Sequence, residues 1–178
     1  MSAARQSAIL AGTLAAIVAG ALCLASCRVP PSPPPTERGS TIPISYAVFS
    51  WKQETDFRRI SEYFTDVEDT GADFVARTDP TTREGLYFIL GIGASEKIPA
   101  GSKATLRYFR PDRHGVQTSE FELAEFSAAP VGEIRLGLTG ETWPESLKKE
   151  RPTAWEFTIR SPEGELLVSR RSFLWSEQ

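Results

Sequence analysis

Three observations predict an all-β fold, an antiparallel β-sandwich of immunoglobulin-like type with about seven or eight strands. Apolar and polar residues alternate with period two along much of the chain from Gly85 onward, as half-buried strands require. The alternating runs are short and separated by turns rich in Gly and Pro, such as Ser161-Pro162-Glu163-Gly164. Helical spacing is rare, so two stacked sheets are the means left for burying the apolar faces.

The elements follow in order. Tyr46 to Trp51 reads as a strand. Phe57, Ile60, Phe64 and Val67 recur at helical spacing, and Asp56 is placed to cap them. Against a helix, Ile60, Tyr63, Phe64, Thr65 and Val67 favour strands. Four acids (Asp66, Glu68, Asp69 and Asp73) also crowd the end where a helix dipole disfavours them. A strand is therefore expected over 56–68, with Asp69-Thr70-Gly71 turning into a further strand, Phe74 to Arg77. Gly85 to Ile92 is apolar on both faces and reads as a central strand. Ala104, Leu106 and Tyr108 alternate with Lys103, Thr105 and Arg107. After the turn 111–115, Phe121 and Leu123 face inward while Glu120 and Glu122 face out. Ile134, Leu136 and Leu138 form the next inward set, and Trp155, Phe157 and Ile159 another. The last run, Glu165 to Trp175, changes phase: Leu166 and Val168 share one parity, Phe173 and Trp175 the other. A bulge or sheet switch is expected near Ser169-Arg170-Arg171. No Cys…Trp…Cys signature of antibody domains is present.

The first 26 residues have a different character. Arg5 is their only charged residue, and Ala8 to Ser26 carry no charge, the layout of an export signal. The run ends in Leu24-Ala25-Ser26-Cys27, which resembles the lipobox of bacterial lipoproteins. The resemblance implies a diacylglycerol thioether on Cys27, cleavage between Ser26 and Cys27, and acylation of the freed amine. A thiolate is the nucleophile such a transfer needs. An uncleaved membrane helix and an ordinary secretory signal are the competing readings, since a run of this length just reaches bilayer thickness. Cys23 is a poorer acceptor because Leu22 precedes it. Arg28 stands where Asp would mark inner-membrane retention in enteric bacteria, so the resemblance implies the outer membrane over the inner. Two or more acyl chains anchor stably. The domains expected are a signal peptide (1–26), a lipidated cysteine with a Pro-rich linker (27–43) and a sandwich (44–178).

Five of the thirteen residues from Arg28 to Ser40 are proline, which favours an extended tether over helix or sheet. At about 3.1 Å per residue it reaches roughly 40 Å. A proline-rich ligand for a partner domain is the alternative reading. Cleavage leaves 19 Lys+Arg against 23 Asp+Glu, a net charge of −4. No basic stripe for nucleic acid is present. Cys27 becomes the only cysteine, which excludes disulfides and thiolate metal sites from the mature chain.

Candidate chemistry is sparse. His114, the single histidine, lies in a turn with Asp112 and is read as exposed, not as part of a triad. Ser146-Leu147-Lys148-Lys149 fits S-x-x-K, but the companion S-D-N and K-T-G elements are missing. Gly91-Ile92-Gly93 has no following helix or G-K-[ST] to cradle phosphate. The acidic stretch 66–73 fails EF-hand spacing, with Thr70 and Arg77 at ligand positions, and is expected to be a solvated turn. Trp143 lies in a loop beside Glu141 and Glu145, where it reads either as a stacking platform for a sugar or partner or as a plug folded over the sandwich. A hydrolase using two carboxylates is a third possibility. The expectation is a lipid-anchored, non-enzymatic binding or structural accessory of the cell envelope, with no cofactor and no metal. Its partners are the membrane through Cys27 and an envelope protein or glycan.

Overall fold

The computed structural model describes residues 41–93, 97–127 and 132–175, which lie within one compact unit. Among them the order is β1 (Ile44–Lys52), α1 (Glu62–Thr65), β2 (Phe74–Arg77), β3 (Gly85–Ile92), β4 (Lys97–Ile98), β5 (Ser102–Phe109), β6 (Val116–Leu123), β7 (Phe126–Ser127), β8 (Glu133–Thr139), β9 (Trp155–Arg160) and β10 (Leu166–Arg171). Eight strands build two four-stranded sheets, ordered β1-β3-β8-β2 and β10-β9-β5-β6, while β4 and β7 form a separate ribbon. Ile134 (β8) and Leu90 (β3) face Leu106 (β5) and Phe157 (β9) in one core. The fold is an all-β sandwich.

The chain crosses between sheets from β3 to β5, from β6 to β8 and from β8 to β9, and it forms hairpins at β5–β6 and β9–β10. With β2 set aside, this is the Greek-key connectivity of an immunoglobulin-like sandwich. The pairings within the sheets are antiparallel except β2, which lies parallel to β8. A parallel neighbour needs a long connection, and the chain between β2 and β8, which carries β3 to β7, provides it.

Alternation decides which side chains enter the core. Ala104, Leu106 and Tyr108 point inward from β5, while Lys103 and Arg107 stay outside. Arg107 pairs with Glu156 at 2.7 Å on that wet outer face. Phe88 is the aromatic hub, with ring centroids 4.9 Å from Trp155 and 5.1 Å from Phe157. All eight residues of β3 are buried, because this strand is covered on both sides. Its outer residues Tyr87 and Ile89 lie under Phe57 and Val75. Tyr87 also explains the glycine opposite it in the register: a Cβ at Gly137 would come within 2.7 Å of the Tyr87 ring.

Two expectations are corrected. The stretch 56–68 is not a strand: a 3-10 turn spans Glu54–Asp56, and a four-residue helix, α1, follows at Glu62–Thr65. Asp66 ends that helix in the left-handed region at φ 52. A single helical turn has little dipole to oppose the acids after it. The irregularity in β10 falls between Leu166 and Val168, earlier than Ser169-Arg170-Arg171. The strand ends at Arg171, where Ser172 N–H donates to Trp155 O at 2.8 Å and Ser172 Oγ accepts from Trp155 N–H at 3.0 Å. The turn that follows brings Trp175 onto Phe109, 5.6 Å between ring centroids, and leaves Phe173 92% exposed.

Phe88→Ala is therefore expected to lower unfolding free energy by about 3–5 kcal/mol, measured by chemical denaturation. Phe173→Ala should stay within about 0.5 kcal/mol of the parent. Similar losses in the two variants would mean that the core is not centred on Phe88.

Candidate interaction surface

The connection from Gln53 to Asp73 lies against the outer face of the first sheet. Phe57 anchors it, buried against Tyr87 with 4.8 Å between ring centroids. One Phe holds a stretch of this length poorly, and charged side chains supply the rest. Arg77, on β2, sits 5.1 Å over the Phe57 ring. Its Nε donates to Tyr87 Oη at 2.7 Å, and its two Nη atoms donate to both carboxylate oxygens of Glu68. Tyr87 Oη donates in turn to Arg83 O at 2.8 Å, and Arg83 Nη1 donates to Glu62 at 2.7 Å. A bidentate guanidinium is suited to such a junction because it is planar, permanently charged and weakly hydrated.

A second clamp holds the end of the segment. Arg135, on β8, bridges Asp73 at 2.9 Å and Glu133 at 2.8 Å. Glu133 N–H donates to Asp73 at 3.1 Å, and Tyr46 Oη donates to Glu133. That hydrogen bond, with burial and the neighbouring charge, pushes the Tyr46 hydroxyl up to about 12. Burial would raise the Glu133 carboxyl, but the hydrogen bonds from Tyr46 and Arg135 outweigh it and hold the group below its usual range. The Arg83 hydrogen bond lowers Glu62, and Ser61 Oγ, donating at 2.6 Å, lowers Asp69.

The acidic stretch is thus largely tied to the protein. Glu68, Asp69 and Asp73 are engaged as described, and Asp66 stays exposed at the end of α1. No group of three His, Cys, Asp or Glu side chains is placed to hold a metal ion among the described residues. With Glu62, Glu68 and Asp73 turned to Arg83, Arg77 and Arg135, the segment presents Ile60, Tyr63, Phe64 and Val67 outward, between 66% and 84% exposed.

The residues singled out in the sequence lie elsewhere. Trp143 is 1% exposed, so it offers no open ring for a sugar or partner, and the platform reading is corrected. Its Nε1 donates to Leu147 O at 3.1 Å, and its ring lies against Tyr108 and under Arg110. Arg110 donates to the carbonyls of Glu141 (3.0 Å) and Thr142 (2.7 Å) and pairs with Asp112 at 2.6 Å. The Glu141 and Glu145 carboxylates are exposed. His114 is exposed as well, and Asp112 turns to Arg110, whose hydrogen bond lowers its pKa. Ser26 and Cys27 lie outside the described residues.

A groove runs beside the apolar patch, walled by Arg58, Glu62 and Tyr63 on one side and Thr81 to Glu84 on the other. Three of its carboxylates are paired: Glu54 with Arg58 at 2.9 Å, Glu62 with Arg83, and Glu84 with Lys148 at 3.5 Å and Trp51 Nε1 at 3.2 Å; the fourth, Asp66, lines the groove exposed. A carboxyl lowered by its arginine, as Glu62 is, lacks the raised pKa of a general acid.

The arginines were the residues hidden in the sequence. Their signal was indirect: a strand apolar on both faces must be covered twice.

Two outcomes follow. Trp143→Ala should lose about 3–5 kcal/mol of stability; lost ligand affinity at unchanged stability would restore the platform. Carboxyls with depressed folded-state pKa values stabilise above their unfolded values, about 3.9 for Asp and 4.3 for Glu, and stop doing so as pH falls through the folded ones. Amide exchange in 53–73, corrected for intrinsic rate, should therefore lose protection between about pH 5 and 3, before β3 does. Simultaneous loss in both would show that the segment is not separately clamped. No protein-family model matches this chain, and no curated protein matches it.

Proposed function

We propose that this chain is a lipoprotein of the bacterial cell envelope, cleaved before Cys27 and anchored there by lipid. Its β-sandwich serves as a non-enzymatic binding or structural accessory held at the membrane. The observation that carries the reading is Leu24-Ala25-Ser26-Cys27 at the end of a charge-free run. The proline-rich stretch after Cys27 supports it as a spacer between anchor and domain. The displayed apolar set at Ile60, Tyr63, Phe64 and Val67 supports a binding role, because exposed apolar residues grouped on a clamped element mark interaction surfaces.

Intact mass of protein extracted from its own membrane tests the anchor. The expected chain begins at Cys27 and carries the mass of a diacylglycerol thioether and an N-acyl group. A chain starting at Met1, or an unmodified Cys27, overturns it. In-membrane crosslinking followed by pull-down should then recover an envelope component absent from a Cys27→Ala control. Equal recovery in both would show that the anchor does not place the domain near its partner.

A further inference from the structure

We propose that the outward side of the β1–β2 segment, formed by Ile60, Tyr63, Phe64 and Val67, docks on the phospholipid bilayer that holds the chain. This rests on the lipid-anchor reading and adds an orientation to it. The segment sorts its side chains by destination. Phe57 is buried on Tyr87, and the Glu62, Glu68 and Asp73 side chains are turned to Arg83, Arg77 and Arg135, leaving them 10%, 25% and 12% exposed. Outside remain two aliphatic and two aromatic side chains; beside them Arg58, Arg59, Glu54 and Asp56 are exposed, with Arg58 paired to Glu54 at 2.9 Å. Aromatic and aliphatic groups flanked by arginine are the composition that settles at the headgroup boundary. Asp66, exposed within the set, keeps the insertion shallow.

Reach and area favour the bilayer over a protein. The thirteen residues from Arg28 to Ser40 span up to roughly 40 Å when extended. From Thr41, the nine residues of β1 carry the chain about 30 Å to the start of the segment. The patch therefore lies within reach of the surface in which Cys27 is held. Four side chains of this size offer on the order of 500 Å², below the ~800 Å² per partner of a standard protein interface. A bilayer needs no complementary shape. A tether also makes a weak contact effective by holding the two surfaces at high local concentration.

The test uses the lipidated protein in vesicles of phosphatidylethanolamine and phosphatidylglycerol. Phe64→Cys carries a spin label, and Phe173→Cys serves as an equally exposed aromatic position outside the segment. Relaxation by oxygen and by a water-soluble nickel complex reports depth. The label at 64 is expected about 5–10 Å into the headgroup and acyl boundary, with the label at 173 in water. Adding Tyr63→Asp should return the label at 64 to water with folding unchanged by circular dichroism. A label at 64 as wet as that at 173 overturns the docking. Dipolar coupling between labels at 64 shows that a second copy covers the patch and overturns it too. Intact mass separates the two proposals: anchored protein with a wet label refutes docking alone, whereas protein without lipid on Cys27 refutes the anchor and the docking that depends on it.

Discussion

A strand with Leu86, Phe88 and Leu90 on one side and Tyr87 and Ile89 on the other needs two covers, and in this molecule only one of them is a sheet. The second is the irregular segment between β1 and β2, which brings few apolar side chains to the task. Arginine makes the cover workable. Arg77 reaches the buried Tyr87 hydroxyl, the Phe57 ring and the Glu68 carboxylate from one guanidinium. Ion pairs of this partly buried kind contribute modestly to net stability but strongly disfavour a misplaced partner. Their effect here is to fix one position for a loop that hydrophobic burial alone would leave loosely placed.

The two sheets consequently present different exteriors. The second keeps a charged outer face, with Lys103, Arg107, Glu120 and Glu122 alternating against its core, as antiparallel sheets with one wet side do. The first is roofed over β3, and the roof carries four of the exposed apolar residues, Ile60, Tyr63, Phe64 and Val67. Arginine recurs at the Trp143 loop, where Arg110 ties two carbonyls and Asp112 around the buried indole. In both places an aromatic supplies the buried area and a guanidinium supplies the direction.

The sandwich was legible because alternation is a local property. The inward sets on β5, β8 and β9 follow from parity alone, and so does the central place of Gly85 to Ile92. What stayed hidden depends on partners far along the chain. Nothing local marks Glu68 as the partner of Arg77 and Arg83, nor Asp73 as that of Arg135, so the acids read as solvated. Residues 56–68 carry strand propensity but have no neighbouring strand to pair with, and their apolar side chains mostly face outward. At Trp143 both readings shared one loop composition, and only the position of Arg110, Tyr108 and Leu147 separates them. Leu24-Ala25-Ser26-Cys27 is local in the same way, and the proposed anchor rests on it without bearing on what the domain binds.

The backbone N–H groups of Thr41 and Ile42 both donate to Leu167 O, so the entry to β1 is held by β10. Likewise β1 pairs with β3 across the entire roof segment. Such connections join residues far apart in sequence, and chains dominated by them fold over milliseconds to seconds, not microseconds. The sandwich cannot close until its last strand is available. Under the export proposed above, that order of events gives the chain time to travel before it folds.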